Sequence, residues 1–512
     1  MHIIKSLKLT LTLAITLSVA LLASAEEPST SQINVLRGER WWGFHLGDAQ
    51  KEPAPFVVAQ GNEPQQMTAV MLLSSKGRYI FNDSPMTIAF DGTTLNITAE
   101  GKRVQAQKGG RTLRDAYLVC RHKHNPPTIK ERSTDIYALP IIETESELGY
   151  LQSAESVVEY AERLSAIGIK EGIVVLADGW SQMDGSFDFD RNIYPDPRAT
   201  IDRLHKLGFK VMLNIAPYCS TSGRGAYVAN RNNTLLEGYV ATQHDCIAYY
   251  VYDICKPEVY GHLKQRLDAL IADYGIDGFR FDVDELCESE KMRDNQPYLT
   301  QDYIEAWYIL GENYDLIDYA TSTLGQQQYF PSKITFGVDN PVRAMLISGM
   351  FGTSAPYATP AVNINLDEAD ELTKLRLLQQ ELMMPVARIP FAPWRITEPK
   401  YYDEFMRNVE LRSRIGEHLR SVAAEGMKTA EPMVRHLEYE YSGYGFGDCE
   451  DQYILGERYL IAPLTEGTSR TVRLPRGAWL DSKGKRYRGP MVVKFYAFDG
   501  RIFCFEKESK NK

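Results

Sequence analysis

The stretch "GIDGFRFDVDE", residues 275–285, places Asp282 and Asp284 two positions apart directly after an apolar run. Carboxylates at such a place can act as nucleophile, general acid or general base. Arg280 and Asp282 face the same side if the run is a strand, and a cation beside a carboxylate favours its ionised form. A structural ion pair between them is the alternative interpretation. Asp284 is expected to begin the following loop.

Two further apolar runs end in polar residues. "IVVLADGW" ends at Asp178 and Trp180, and "VMLNIAPY" carries Asn214 and Tyr218. An apolar strand is a poor place for a polar group without partners. We therefore predict that Asp178, Trp180 and Asn214 bind a ligand together with Arg280. A helix or turn cap is the alternative role for Asp178.

The elements that must position these residues alternate between helix and strand over residues 141–425. The helical patterns are "SAESVVEYAERLSAIG", "ATIDRLHKLG" and "YGHLKQRLDALIADYG", and each precedes one of the three apolar runs. This repetition predicts a parallel sheet covered by helices, and the length favours a (β/α)₈ TIM barrel over an open sheet. Active sites of such barrels lie at the C-terminal ends of the strands, where the polar residues stand.

The flanking regions have a different pattern, with short runs of β-forming residues separated by turn residues. Residues 26–140 predict a β-sandwich-like N-terminal domain, from runs such as "MTAVMLLSSKGRYIFND". Residues 426–512 predict a small C-terminal β domain, from "QYILGERYLIAPLT", "SRTVRLPRGAWLD" and "MVVKFYAFDGRIFCFE". The barrel is thus expected between two β domains.

The N-terminus and the composition bear on location and partners. "MHIIKSLKLTLTLAITLSVALLASAEE" has two lysines, an apolar run and small residues before Glu26, which predicts a signal peptide over residues 1–25. A membrane anchor is the alternative. We expect export to the periplasm or the extracellular space, with no stable membrane insertion after cleavage. The formal net charge of −10 in 512 residues disfavours a nucleic-acid partner.

The seven cysteines form no CxxC pair, which disfavours a zinc site and a dense disulfide framework. One or two disulfides are compatible with export. No metal or organic cofactor is predicted.

Longer blocks of the chain resemble glycoside hydrolase family 31. They are "ADGWSQMDGSFDFDRNIYPDPRATIDRLHKLGFKVMLNIAPY", "ELMMPVARIPFAPWR" and "CEDQYILGERYLIAPLTEGTSRTVRLPRGAWLD". The last is similar to that family's "DQF-LG--LLVAPV…YLP-G-W-D" signature. "FRFDVDE" is close to "FKFDAGE" in the branch that contains the myogenesis-regulating glycosidase. The resemblance covers residues from about 40 to 490.

The resemblance implies retaining hydrolysis of α-glycosides by two aspartates. Asp282 falls on the nucleophile, and Asp339 in "FGVDN" falls on the general acid/base. A helix cap before Pro341 is the alternative role for Asp339. Asp178 and Trp180 match a substrate-contacting strand end, and Trp394 in the late barrel block is a further predicted substrate contact.

The sequence departs from the family pattern in three places. Thr323 and Phe336 stand about where the family often has an Arg and a Trp near the acid/base, and Ala361 in "TPAVNIN" replaces an Asp. We therefore expect an unusual sugar-binding end of the pocket.

The sequence as a whole predicts a retaining, exo-acting α-glycoside hydrolase, with an α-galactoside or α-glucoside as substrate. Its partner is an oligosaccharide or glycoside, and its oligomeric state is left open. A catalytically silent carbohydrate-binding relative is the alternative of a different class. An α-amylase-type or family 36-like glycosidase is the enzyme alternative, and Leu286 disfavours the amylase type, which expects a His there.

Overall fold

A computed structural model gives the architecture of most of the chain. The structure describes residues 28–45, 54–100, 103–124, 126–127, 132–149, 152–182, 186–221, 227, 229, 231–243, 247–282, 300–319, 331–334, 342–343, 345–346, 349, 355–358, 365–465 and 467–508. Several predictions fall outside these residues. They concern the signal peptide, Asp284, Leu286, Thr323, Phe336, Asp339 and Ala361.

The described residues form strands and helices in the following order. The strands are β1 (Ser29–Asn34), β2 (Arg40–His45), β3 (Ala54–Ala59), β4 (Gln65–Ser74), β5 (Arg78–Phe90), β6 (Thr94–Ala99), β7 (Gln107–Lys108), β8 (Ile141–Glu143), β9 (Gly172–Leu176), β10 (Phe209–Ile215), β11 (Tyr218–Ser220), β12 (Leu235–Gln243), β13 (Ile247–Tyr252), β14 (Gly278–Phe281), β15 (Leu316–Tyr319), β16 (Pro331–Ile334), β17 (Ala355–Ala358), β18 (Arg388–Ile389), β19 (Val434–Arg435), β20 (Tyr453–Leu455), β21 (Tyr459–Ile461), β22 (Ser469–Asp481), β23 (Arg486–Tyr496) and β24 (Cys504–Lys507). The helices are α1 (Leu113–His124), α2 (Asp135–Ala138), α3 (Glu145–Leu148), α4 (Ala154–Ala166), α5 (Pro197–Lys206), α6 (Pro257–Tyr274), α7 (Thr300–Gly311), α8 (Glu371–Leu382), α9 (Pro399–Thr429) and α10 (Leu437–Glu440).

The N-terminal strands form one antiparallel sheet in the order β1-β6-β5-β4-β2-β3, with β7 beside β5. Trp41 and Trp42 point to opposite faces of β2, and both are fully buried, so both faces of the sheet are covered. The described residues here belong to a single sheet, and the predicted β-sandwich is not confirmed.

A helix, α1, covers one face of this sheet within a region that the sequence predicted as β structure. Its buried residues Leu113, Ala116, Tyr117 and Cys120 recur at helical spacing and pack with Trp42. The β prediction is therefore wrong for this segment, because its apolar residues follow the period of a helix and do not alternate as in a strand.

The central sheet has eight parallel strands in the order β17-β16-β15-β14-β10-β9-β8-β18. The first of these strands in the chain, β8, pairs with the last, β18. That pairing is what a closed barrel requires and an open sheet in chain order lacks. The helices α4, α5 and α6 precede β9, β10 and β14, so the three predicted helix–strand pairs are confirmed.

Local sequence explains where the helices that position the site begin and end. Ser153 accepts a hydrogen bond from the backbone N–H of Ser156 in a capping box that starts α4. Asp196 caps α5, whose first residue is Pro197. Gly275 ends α6 at a φ of 77°, a conformation that favours glycine. The chain then turns directly into β14.

Close strand packing explains the glycine that starts β14. A side-chain carbon at Gly278 would lie 1.9 Å from the carbonyl oxygen of Leu316 on β15. A larger residue there would push the two strands apart and displace the end of β14, where Asp282 follows.

Two smaller β units complete the architecture. The strands β11, β13 and β12 form an antiparallel sheet inserted after β10. After the long helix α9, six strands form an antiparallel sheet in the order β19-β20-β21-β24-β22-β23. The predicted C-terminal strand runs are confirmed, and "SRTVRLPRGAWLD" coincides with β22.

Five of the seven cysteines lie in the described part of the chain, and three of these, Cys120, Cys449 and Cys504, are free thiols. Among the described residues, no helix has the length and apolar character needed to cross a membrane.

Candidate active site

The C-terminal ends of three neighbouring strands bring the predicted polar residues together. Asp178 follows β9 in a short 3-10 helix, Asp178–Trp180, while Asn214 lies near the end of β10. Asn214 is aligned with Arg280 on β14, and Asp282 follows that strand. The backbone N–H of Asp282 donates to the carbonyl of Ile215 at 2.8 Å, which extends the ladder to the carboxylate.

Asn214 bridges two carboxylates. Its side-chain Nδ2 donates to Oδ1 of Asp178 at 2.5 Å and lies 3.4 Å from Oδ2 of Asp282. The first distance is a short hydrogen bond and the second a weak one. We call Asp178 and Asp282 the carboxylate pair. Because a single amide contacts both, Asn214 fixes their relative position.

The oxygen of this amide, Asn214 Oδ1, is buried and has no hydrogen-bond partner among the described residues. A buried acceptor of this kind is costly unless water or a ligand hydroxyl donates to it. The two carboxylates beside it are partly exposed and can accept hydrogen bonds from a polyhydroxylated ligand.

Trp180 contacts the backbone of Asn214. Its indole Nε1 donates to the backbone carbonyl of Asn214 at 2.7 Å, and its ring packs edge-on against Phe189 with centroids 5.1 Å apart. The side chain is only 2% exposed. Trp180 therefore orients Asn214, and its predicted contact with substrate stays a prediction.

A small cleft opens at this place. It is lined by Asp178, Trp180, Ser181, Phe187, Asn214, Ile215, Ala216 and Tyr218. Tyr218 comes from the inserted sheet and is stacked on Tyr249, with ring centroids 5.9 Å apart. The inserted sheet thus supplies one wall of the cleft.

Arg280 is engaged in a second polar group inside the barrel. Its Nη1 and Nη2 donate to the two carboxylate oxygens of Glu143, each at 2.9 Å, and its Nε donates to Asp318 at 2.8 Å. Arg388 donates to the same Glu143 at 2.9 Å and pairs with Glu381 at 3.2 Å. We call these five buried residues the ion cluster.

The ion cluster joins strands that are far apart in sequence. Glu143 ends β8, Arg280 lies on β14, Asp318 on β15 and Arg388 on β18. Burial alone would raise the pKa of Glu143, but the charges and hydrogen bonds of Arg280 and Arg388 outweigh it and hold that pKa well below its ordinary value. Glu143 is therefore a permanent anion that ties the first and last strands to β14.

Trp394 is placed differently from the other predicted ligand residues. It lies in the short 3-10 helix Pro393–Arg395 after β18, with the guanidinium of Arg163 3.9 Å from its ring centroid. Tyr160 packs edge-on against it at 5.4 Å. Trp394 is not among the described residues that line the cleft, and its substrate contact stays a prediction.

The sequence reasoning missed the partners of Arg280. Glu143 ends the short apolar strand β8 and Asp318 lies within β15, a signal similar to that of Asp282, whereas Arg388 begins β18. The described residues contain no group of three or more His, Cys, Asp or Glu side chains placed to hold a metal ion.

The eight-stranded parallel barrel with a carboxylate pair at its strand ends places this protein in the class of barrel enzymes. Comparison with known proteins gives its family. Residues 143–351 match the glycosyl hydrolases family 31 TIM-barrel domain, and residues 430–508 match that family's C-terminal domain. Together they cover more than half of the chain, which belongs to glycosyl hydrolase family 31.

The individual relatives are distant. The chain is 21% identical over 517 residues to the myogenesis-regulating glycosidase of Mus musculus, covering 90% of this chain and 71% of that protein. It is 23% identical over 336 residues to the 1,3-alpha-isomaltosidase of Kribbella flavida, covering 56% of this chain and 46% of that protein.

Among solved structures, the chain resembles a family 31 dextranase from Flavobacterium johnsoniae complexed with glucose. The TM-score is 0.79 at 17% identity, with coverage of 95% of this chain and 67% of that one. At 17% identity, this structural similarity establishes the fold alone.

Proposed function

We propose that this protein is a retaining, exo-acting α-glycoside hydrolase that releases a terminal α-linked sugar from an oligosaccharide or glycoside. The observation that carries the proposal is the carboxylate pair bridged by Asn214 at the C-terminal ends of adjacent barrel strands. Membership of a glycosidase family supports the reaction class. Two of the relatives are an isomaltosidase and a dextranase, which favours an α-glucoside as substrate, with an α-galactoside as the other candidate.

The proposed reaction is a double displacement. Asp282 attacks the anomeric carbon while the bond to the leaving oxygen breaks, and the acid/base, proposed as Asp339, protonates that oxygen. A covalent glycosyl-enzyme results. Water then attacks the same carbon, gives a proton to the acid/base and releases Asp282, so that two inversions retain the configuration.

Asp178 and Asn214 are proposed to bind the sugar whose bond is cleaved. Asp178 accepts hydrogen bonds from hydroxyl groups, and the unsatisfied Oδ1 of Asn214 offers another acceptor. Such contacts tighten in the oxocarbenium-like transition state, so they lower the barrier as well as bind substrate. We further propose that the chain acts after export, on the strength of its signal-like N-terminus.

A panel of aryl α-glycosides, incubated with the purified protein beginning at Glu26, tests the activity and names the sugar. Turnover of one glycoside with release of the α-anomer supports the proposal. Binding of oligosaccharide without turnover of any member would favour the catalytically silent relative.

Labelling tests the nucleophile independently. A 5-fluoroglycosyl fluoride of the preferred sugar should attach to a peptide that contains Asp282, and Asp282→Asn should remain unlabelled. Labelling at Asp284 or Glu285 would contradict the assignment.

A leaving-group series tests the acid/base. Asp339→Ala should lose activity mainly on substrates with poor leaving groups, and azide should restore turnover on activated ones as the α-glycosyl azide. Equal losses on all substrates without an azide product would move the role to another carboxylate. Asp367 and Glu368 are the next candidates, and the side chain of Asp367 is 85% exposed and 3.0 Å from Arg395.

A further inference from the structure

A groove crosses the outer face of the C-terminal sheet. On β22 and β23, Trp479 and Tyr487 face each other and point into the core of this domain. Their neighbours must then point to the opposite face, because side chains alternate along a strand and paired residues share a face. The outward residues are Ala478 and Leu480 on β22, Arg486 and Arg488 on β23, and Glu506 on β24.

The shape of the groove follows from side-chain size. Small residues, Gly477, Ala478 and Gly489, form the floor where β22 and β23 shift register. Long side chains line the rest of the groove, together with His418 on α9. The groove has a volume of about 1510 Å³. Its described lining is His418, Glu457, Arg458, Arg476, Gly477, Ala478, Leu480, Arg486, Arg488, Gly489, Glu506, Lys507 and Glu508.

The groove carries excess positive charge on a protein of formal net charge −10. Five of its lining side chains are cationic and three are carboxylates. Arg458 pairs with Glu506, and Arg486 pairs with Glu508 at 2.7 Å. The structure gives Arg476 and Arg488 neither an ion pair nor a side-chain hydrogen bond within the described residues, and both are exposed.

We propose that this groove binds an acidic polysaccharide, a sugar chain that bears carboxylate or sulfate groups. The planar guanidinium groups of Arg476 and Arg488 match such anions with paired hydrogen bonds. The half-buried Leu480 and Ala478 line the same groove and offer apolar surface to the C–H faces of sugar rings. The described lining contains no Phe, Tyr or Trp, whereas sequence-independent binding of single-stranded nucleic acid relies on stacking of bases on aromatic side chains.

The groove is separate from the carboxylate pair, because it lies on the C-terminal sheet and shares no residue with the barrel cleft. Binding there therefore does not depend on the proposed hydrolase activity. Its consequence would be to hold the protein on a charged glycan while the barrel acts on a terminal sugar.

Affinity measurements with three polymers test the proposal. Polygalacturonate carries carboxylates, dextran sulfate carries sulfates, and unmodified dextran is neutral. The protein should bind one or both acidic polymers and should bind dextran much more weakly. Arg476→Ala/Arg488→Ala should lose about tenfold or more in affinity, because two charge-assisted hydrogen-bonding groups are removed.

The control is Arg37→Ala/Arg111→Ala, which removes the same charge from exposed positions of the N-terminal domain. It should leave affinity within about twofold of the parent value, as expected for surface charge that does not contact the ligand. An equal loss in both double variants would reduce the effect to net charge and overturn the proposal, as would equal binding of dextran or of a single-stranded oligonucleotide.

Hydrolysis of a small aryl glycoside separates this proposal from the proposed function. Arg476→Ala/Arg488→Ala should bind acidic polymer weakly and hydrolyse the aryl glycoside normally. If the parent protein lacks hydrolase activity but the polymer affinities behave as described, only the proposed function fails. If hydrolysis is normal and no acidic polymer binds, only the groove proposal fails.

Discussion

The barrel holds two polar groups whose carboxylates differ in burial and in hydrogen-bond partners. In the ion cluster, Glu143 receives hydrogen bonds from two arginines and is 7% exposed. In the carboxylate pair, Asp178 and Asp282 share the neutral amide of Asn214, and both are partly exposed. A compensated, buried carboxylate has its acceptor sites filled by the protein, whereas a partly exposed one can still accept from a ligand.

This difference changes the role expected of Arg280. The sequence suggested that its charge acts on Asp282, two residues along β14. The structure directs its described hydrogen bonds to Glu143 and Asp318. Arg280 thus anchors the strand that carries Asp282, and its predicted contact with substrate stays a prediction.

The largest expected effect comes from the carboxylate pair. Asp282→Asn keeps the shape of the side chain but removes the nucleophile, so turnover should fall by roughly 10⁴-fold or more. Thermal unfolding should change little, because Asn has the size of Asp and the Asp282 side chain is partly exposed. Residual turnover above a few per cent, in a preparation free of parent enzyme, would contradict the assignment.

A substitution in the ion cluster should affect mainly stability, whereas Asp282→Asn should affect mainly turnover. Glu143→Gln leaves two buried guanidinium groups without their shared anion, so the free energy of unfolding should fall by about 3 kcal/mol. Urea or thermal unfolding measures it. The proposed activity per folded molecule should suffer far less than in Asp282→Asn.

Glu39→Gln is a matched control for the ion cluster. Glu39 is also fully buried and hydrogen-bonded to an arginine, Arg78, but it lies in the N-terminal sheet. It should lower stability without any effect on the barrel strands. If Glu143→Gln left stability unchanged, the ion cluster would not be the structural anchor described above.

Asn214 tests how far the carboxylate pair depends on its bridge. Asn214→Ala removes the contact with both Asp178 and Asp282 but keeps the backbone carbonyl that accepts from Trp180. We expect kcat/KM to fall by about 100-fold, comparable to the loss of one preorganised hydrogen-bond donor elsewhere. Asn214→Asp should cost more, because a third carboxylate repels the other two. Near-normal kinetics in both variants would remove Asn214 from the site.

Part of the site could be predicted from sequence because strand ends obey a simple rule. Asp178, Asn214 and Asp282 each follow or end an apolar run, and parallel strands bring such ends together. The pairing of Arg280 with Glu143 could not be predicted, since 137 residues separate them and their strands, β14 and β8, are not neighbours in the sheet. The β prediction for the N-terminal region is wrong over α1 for another reason. The buried residues of this helix follow a helical period, but the helix stands in a region that otherwise consists mainly of strands.

The smallest expected effect concerns His436, a buried group without an ion-pair partner among the described residues. It is fully buried, its ring packs on Trp42 of the N-terminal sheet, and its Nδ1 accepts from the backbone N–H of Glu438 at 3.0 Å. Burial lowers the pKa of His436 to about 3, so the side chain stays neutral in the folded protein.

In the unfolded chain the imidazole titrates near its ordinary value of about 6.5. The stability that depends on neutral His436 is therefore present above pH 6.5 and is lost progressively as the pH falls towards 3. Between pH 7 and pH 5 the free energy of unfolding should fall by about 2 kcal/mol from this group. His436→Asn, whose side chain can also accept from the Glu438 N–H, should lose stability less steeply over that interval, and urea unfolding at the two pH values measures the difference. Equal slopes in parent and variant would mean that His436 becomes protonated within the fold, and that burial without an opposite charge does not keep a group neutral in this molecule.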